Sequence, residues 1–333
     1  MSTEKSNYFV PFFQTSKIQF DFLIDYNAEA GGKGKESNEA DYETAIAKAG
    51  FGWFHYWLLF VCGWANASDS VEILCISFVL PAATCDLKLT AEDKGWLSAV
   101  LFIGMLIGGY GWGSIGDTFG RKNTLVIAMA ANTLFGISSS FCQSKAGFFV
   151  FRFLSGIGVG GSIPLVWSYF AEFQSKAVRG RMLSALATFW MVGNVTAAAA
   201  AWAIIPHEIG WNPKEGFKYD SWRIFVAICA IPAGLVTVAL IFMPESPKYL
   251  LAKGRDYEAL KIFRGIYAKN HPGKDPSDYP ILHVKVERNR ISEPLNKSSK
   301  IMQIWLNNLE LFKRPLLWVT LMMLYINFAI QFG

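Results

Sequence analysis

Asp69 and Glu72 stand three residues apart in the middle of a long apolar run. On a helix, residues at i and i+3 share a face. Two carboxylates at membrane depth are costly and mark pathways or proton relays more often than packing. Fixed acids held by buried hydrogen bonds are the competing reading. A second charge, Arg152, opens Arg152-x-x-x-Gly156-x-Gly158-x-Gly160-Gly161 in another apolar run. At 1.5 Å rise per residue, counted from Pro81, Glu72 lies roughly 13 Å below the far surface and Asp69 roughly 18 Å. Arg152, counted from Gly147, lies roughly 7 Å below the same surface. A long arginine bridges that gap, so a Glu72–Arg152 pair is expected, with Asp69 left near the midplane to exchange a proton or cation.

A second group of residues sits at chain links. Gly113-x-x-x-Asp117-x-x-Gly120-Arg121-Lys122 occupies a tight link between two apolar runs. Its glycines allow a sharp turn and close helix approach. Asp117 and Arg121 can form contacts that break when a mouth opens. Glu172 to Arg179-Gly180-Arg181 and Pro244-Glu245-Ser246-Pro247-Lys248-Tyr249-Leu250 carry further charge at the same level. Glu172, Arg179, Arg121 and Glu245 are expected to form one charge network there, a gate, though exposed pairs of this kind are often worth little. Trp190 and Asn194 share a helix face at i and i+4, among small residues. A flat aromatic beside small residues walls an organic-solute cavity or packs in place; Trp64 has the same two readings.

These residues need helices long enough to cross a bilayer, and composition supplies them. The chain has 333 residues, 52% hydrophobic and only 17% charged. Its mean hydropathy is +0.27. Soluble domains carry about 25% charged residues. Apolar stretches run over 54–81, 96–115, 124–142, 147–170, 182–205, 222–243 and 315–333. Each approaches the ~20 residues that span ~30 Å of hydrocarbon. The fold expected is an all-α membrane protein: a tail 1–52, mostly disordered; a six-helix bundle 53–244; a linker 245–314; and a seventh helix 315–333. In the linker, Ala259, Leu260, Phe263 and Ile266 recur at helical spacing, which predicts an amphipathic helix within 254–270. Ser292–Ser299 reads as a flexible linker. Residues 1–20 do not read as a signal peptide.

Basic residues set orientation. The tail, the links after spans two, four and six, and the long linker among them, hold 24 Lys and Arg; the opposite links hold five. The tail and linker are therefore expected in the cytoplasm. Cys62, Cys75 and Cys229 fall inside spans; Cys85 and Cys142 fall near the far side, where pairing is left open. Gly156-x-Gly158-x-x-Gly161 formally fits a dinucleotide fingerprint but lies inside a span rather than after a strand, so it is set aside. The residues offer no metal cluster, nucleophile–base pair or phosphate loop. An enzyme, a cofactor and a nucleic-acid partner are accordingly not expected.

Six spans, a long linker, then more span is the plan of two-half carriers. The link motif at Gly113–Lys122 resembles the signature of the major facilitator superfamily, and the motifs at Glu172–Arg181 and Pro244–Leu250 look like its sugar-porter branch. Longer runs narrow this: Ala65–Pro81, Gly156–Pro164, Ser168–Phe173, Ala200–Pro206, Ser221–Arg223, Pro244–Pro247 and Leu321–Met323 resemble the synaptic vesicle glycoprotein 2 family over about residues 39–333. The resemblance implies a six-helix N-terminal bundle, truncated in or just after helix seven, from a twelve-helix protein of secretory or synaptic vesicle membranes. On matching positions it implies that Asp69, Glu72, Arg152 and Trp190 take the places of that family's acidic pair, helix-four arginine and cavity tryptophan. The function expected is alternating-access transport of a small organic solute, proton- or cation-coupled. The other reading is a transporter-shaped vesicle protein that regulates exocytosis through protein partners. Membrane lipid is the expected surroundings, and the missing C-terminal half the expected complement.

Overall fold

The computed structural model describes residues 39–207, 211–214, 217–285, 317–319, 321, 322 and 325. Six long helices dominate: α2 (Trp53–Ala82), α3 (Ala91–Phe119), α4 (Arg121–Ser140), α5 (Lys145–Ala171), α6 (Lys176–Ile204) and α7 (Ser221–Ile241). Among the described residues, five of them are long and apolar enough to cross a membrane. The sixth, α4, has 20 residues and turns Thr124 and Asn132 inward, polar positions that lower its apolarity. Local chemistry sets the starts. Thr90 and Asp93 form a capping box at α3, with bonds of 3.0 and 3.2 Å. Ser144 accepts the Gly147 amide at α5. Gly120, at φ +105°, stops α3 and starts α4 within one residue; that backbone conformation suits glycine.

The helices pack in the order α3, α5, α4, α7, α2, α6; α2 against α5 closes the circuit α5–α4–α7–α2, with α3 flanking at α5 and α6 at α2. The tightest seam is α3 on α5. A Cβ placed at Gly104, Gly108, Gly156 or Gly160 would overlap backbone of the facing helix. Both helices carry a Gly-x-x-x-Gly pair there, which lets backbones meet in lipid. The bundle core divides in two. One apolar cluster holds Leu58, Ala65, Met129, Leu165 and Phe170; the other holds Val71, Cys75, Phe148 and Cys229. Along α2, α4 and α5 the buried polar residues Asp69, Glu72, Asn132, Arg152, Ser155 and Ser162 fall between them.

A small cap covers the end that carries Gly120, called here the turn end. It is built from β1 (Glu39–Asp41), α1 (Tyr42–Lys48), α8 (Pro247–Ala252), α9 (Asp256–Asn270), a 3-10 turn Pro276–Asp278 and β4 (His283–Lys285). β1 pairs β4 in parallel, Glu39 opposite His283. The buried face of α9 is Ala259, Phe263, Ile266 and Tyr267, with Leu260 half-buried, so the apolar stripe read at 254–270 points into the cap. Tyr279 donates to the Ala45 carbonyl at 2.7 Å. Asn270 binds the Gly50 carbonyl at 2.8 Å and accepts the Phe54 amide at 3.2 Å. Part of the segment read as a mostly disordered tail, 39–48, is thus folded, because its apolar side has α9 to bury against. At the opposite end a short hairpin, β2 (Trp211–Lys214) with β3 (Phe217–Tyr219), joins α6 to α7. The tail before Glu39, the linker at Ser292–Ser299 and most of the span 315–333 lie outside the described residues. Residues 317–319, 321, 322 and 325 are helical.

Candidate functional site

The first candidate site is the polar layer between the two apolar clusters. Glu72 on α2 pairs with Arg152 on α5, and both are almost fully buried. Ser155, one turn along from Arg152, lies 2.8 Å from Glu72 Oε1 and 3.0 Å from Asn132 Oδ1 on α4. Arg152 also stacks its guanidinium over the Phe148 ring, 5.2 Å from the centroid. Three helices are therefore tied by one ion pair and its hydroxyl and amide neighbours. A buried pair is not free stability, since desolvating both ions offsets most of their attraction. What it fixes is register: a rotation of α2 against α5 would strand two charges.

Asp69 is a separate unit in the same layer. It is completely buried, one helix turn from Glu72. Both its oxygens lie 2.8 Å from Ser162 Oγ on α5. The same hydroxyl lies 2.9 Å from the Val159 carbonyl. A hydroxyl has one proton and two lone pairs. With Asp69 ionised, Ser162 donates to the carboxylate. With Asp69 protonated, the acid donates to Ser162, and the hydroxyl turns to Val159. Each protonation state has a bonded arrangement without moving a helix.

Trp190 and Asn194 on α6 meet α2 differently from a paired cavity wall. Ser70 donates toward Asn194 Oδ1 at 2.6 Å, and its hydroxyl also lies 3.0 Å from the Trp190 carbonyl. A Cβ at Gly193 would overlap the Ala67 carbonyl, so the two helices meet backbone to backbone here. The Trp190 ring is half-buried. Trp64 instead lines an apolar groove of about 380 Å³ with Trp57, Phe60, Thr196, Pro232 and Leu235. Trp64 and Trp190 are thus not brought to one cavity among the described residues.

The second candidate site is the turn end. Arg121 pairs with Asp117 at 2.9 Å and reaches Glu172 at 3.6 Å. Glu245 accepts the backbone amides of Lys122 at 2.8 Å and Ser246 at 3.1 Å. Lys122 Nζ donates to the Ile241 carbonyl at 2.8 Å. A Cβ at Gly120 would come within 2.5 Å of Glu245, so that glycine is required for space as well as for its backbone angle. Gly113 meets no described atom within 4 Å of a Cβ, so the close approach expected there falls instead to Gly116, packed on Leu165. Burial raises the Glu172 carboxyl above its usual range, and the Ser246 hydroxyl and then Arg121 beside it pull partly back.

The expected four-member network is incomplete in two respects: among the described residues no ion pair joins Glu245, which accepts backbone amides, to the other three, and Arg179 turns elsewhere. Arg179 pairs with Glu43 of α1 at 2.6 Å, not with Glu172 or Glu245 among the described residues. Glu43 also accepts the Lys176 amide at 3.2 Å, so it caps the start of α6. Tyr42 beside it donates to the Glu172 carbonyl. Sequence reasoning missed Glu43 because it placed 1–52 outside the fold. It also missed Asn132 and Ser155; a lone Asn in an apolar span was the available signal. Arg223 was a fourth omission. It is buried at the far end, 2.8 Å from Asp86, and donates to the Cys142 carbonyl.

The sequence matches the family described as sugar (and other) transporter over residues 31–332. Curated relatives include synaptic vesicle glycoprotein 2A of Rattus norvegicus, 36% identical over 93% of this chain and 45% of its own length. Synaptic vesicle glycoprotein 2C of Homo sapiens is 38% identical over 90% of this chain and 44% of its own length. The chain thus spans somewhat under half the length of these relatives. Among solved structures, the partially occluded, inward-open xylose transporter XylE from E. coli superposes with a TM-score of 0.58 at 23% identity, covering 65% of this chain and 56% of that one. A bacterial homologue of the human lysosomal transporter Spinster gives 0.52 at 16% identity, covering 58% of this chain and 43% of that one. At those identities the likeness is one of fold. The fold is the six-helix bundle of the major facilitator superfamily, and the chain belongs to the sugar (and other) transporter family.

Proposed function

We propose that the protein is a secondary transporter working by alternating access. It moves a small organic solute across a vesicle membrane, coupled to a proton or cation at Asp69 and Glu72. The observation that carries this is the Asp69–Ser162 contact, a fully buried acid with a bonded arrangement for each protonation state. A coupling carboxyl must visit both states, and an acid fixed for packing alone has no use for the second. The Glu72–Arg152 pair holds α2 against α5 around it. At the turn end, the Asp117–Arg121–Glu172 contacts with Glu245 form a gate that opens as the mouth opens, and Trp190, Asn194 and Trp64 contribute to the solute path. The excess of Lys and Arg favours the cytoplasm for that end. A second six-helix half completes the cavity.

The test is uptake into vesicles from cells expressing the protein, across a panel of sugars, organic anions and organic cations. Accumulation of one solute class that collapses with a protonophore or on removing sodium, and is lost in Asp69→Asn, is expected. The folded cap supports a second reading, a vesicle protein that regulates exocytosis through partners. It prevails if no solute moves and a release phenotype survives Asp69→Asn but fails when residues 1–52 are deleted.

A further inference from the structure

Lys261, Gly265 and Lys269 follow one another at i, i+4 and i+8 on α9, a single stripe of its surface. Both lysines are exposed, and a Cβ at Gly265 would meet open space. The stripe edges a groove of about 300 Å³ lined also by Phe54, Phe242, Met243 and Ile262. A second hollow of about 340 Å³ shares Lys261 and Gly265 and adds Arg264. The buried Nε of Arg264 has no partner among the described residues. Phe242 is 83% exposed, and Leu235 and Val238, at 68% and 56%, continue its apolar face along α7. The groove therefore joins an exposed apolar strip to a pair of cations just beyond the end of a helix long and apolar enough to cross a membrane.

We propose that this groove is a binding site for an anionic glycerophospholipid. One acyl chain lies along Leu235, Val238 and Phe242, and the headgroup phosphate sits over Gly265 between Lys261 and Lys269. The two lysines start about 12 Å apart along the helix, a gap that their long side chains close over a glycine. Cations on an amphipathic helix at the bilayer surface attract acidic headgroups, about 1 kcal/mol for each Lys or Arg. A soluble anion would use the lysines and leave the apolar floor without purpose. A neutral lipid would use the floor and not the lysines. The proposal does not depend on transport.

The experiment is native mass spectrometry of the full chain released from nanodiscs of phosphatidylcholine with phosphatidylserine, counting retained lipids. Retained phosphatidylserine should fall about thirtyfold in Lys261→Gln/Lys269→Gln. It should also fall in Gly265→Leu, which fills the groove without touching charge. The charge-matched control Lys253→Gln/Lys274→Gln, on the same cap but outside the groove, should retain it. Equal loss in that control would mean diffuse surface attraction and overturn the site. Equal retention of phosphatidylcholine by the parent chain would overturn the role of the cations. A thermal shift with inorganic phosphate as large as that with phosphatidylserine would overturn the lipid. If the double variant fails to fold, Gly265→Leu and the two-lipid comparison on the parent chain still decide.

Discussion

Ser162 Oγ is equidistant, at 2.8 Å, from the two carboxylate oxygens of Asp69, and one helix turn away it has an alternative acceptor in Val159. A donor so placed serves the charged acid and an acceptor so placed serves the neutral one. The hydroxyl is therefore the element to remove. Ser162→Ala should destabilise the folded protein by about 1–3 kcal/mol, the cost of a buried polar group left unbonded. Ser162→Thr keeps the hydroxyl and should cost less. Thermal melts in detergent measure the difference; equal melts for the two variants would deny the hydroxyl a role.

The Glu72–Arg152 pair makes a different prediction, because its two halves protect each other. Glu72→Gln or Arg152→Met alone should cost about 3–5 kcal/mol, since each leaves an uncompensated charge. The double variant should cost less than the sum of the two. A double-mutant cycle on melting temperature reads the coupling, and strict additivity would show that the two groups do not interact.

The α3–α5 seam should be intolerant of any side chain larger than hydrogen. Gly108→Val and Gly160→Val should abolish a monodisperse species on size exclusion, since each Cβ would meet the backbone of the opposite helix. Gly113→Ala should leave stability unchanged, because its Cβ meets no described atom. A Gly113→Ala protein as unstable as Gly108→Val would contradict that placement.

The cap should detach as a unit. Tyr279→Phe removes the hydroxyl that holds Ala45, a loss of about 1 kcal/mol. Glu43→Gln removes the half-exposed pair with Arg179 and the cap on α6, with a smaller global effect. Hydrogen exchange over Tyr42–Lys48 should quicken in both variants while α3 and α5 stay protected. Unchanged exchange in Tyr42–Lys48 would mean that other contacts hold the cap.

The six bundle helices were legible because length and apolarity mark them, α4 less than the rest, and because Gly120 punctuates the link between α3 and α4. Glu72–Arg152 was legible because depth follows from helix rise, and few charges lie at that depth. The cap was not. Glu43, Tyr42 and Tyr279 look like ordinary surface residues until α9 supplies the face that buries α1, and β1–β4 pairing joins segments more than 240 residues apart. Ser162 follows directly on the glycine stripe Gly156–Gly161, and its contact with Asp69 depends on the rotation of α5 against α2, which no local pattern encodes. Gly104 and Gly108 went unread beside Gly156 and Gly160, although their spacing is the same.

The most direct measurement separates coupling from binding. Vesicles from cells expressing the protein would be assayed for solute accumulation against a gradient and for counterflow exchange at equal concentration, parent beside Asp69→Asn. Lost accumulation with preserved exchange in Asp69→Asn is expected, since the solute path is intact and only the driving ion has no site. Accumulation by Asp69→Asn at the parent's level would contradict coupling at Asp69.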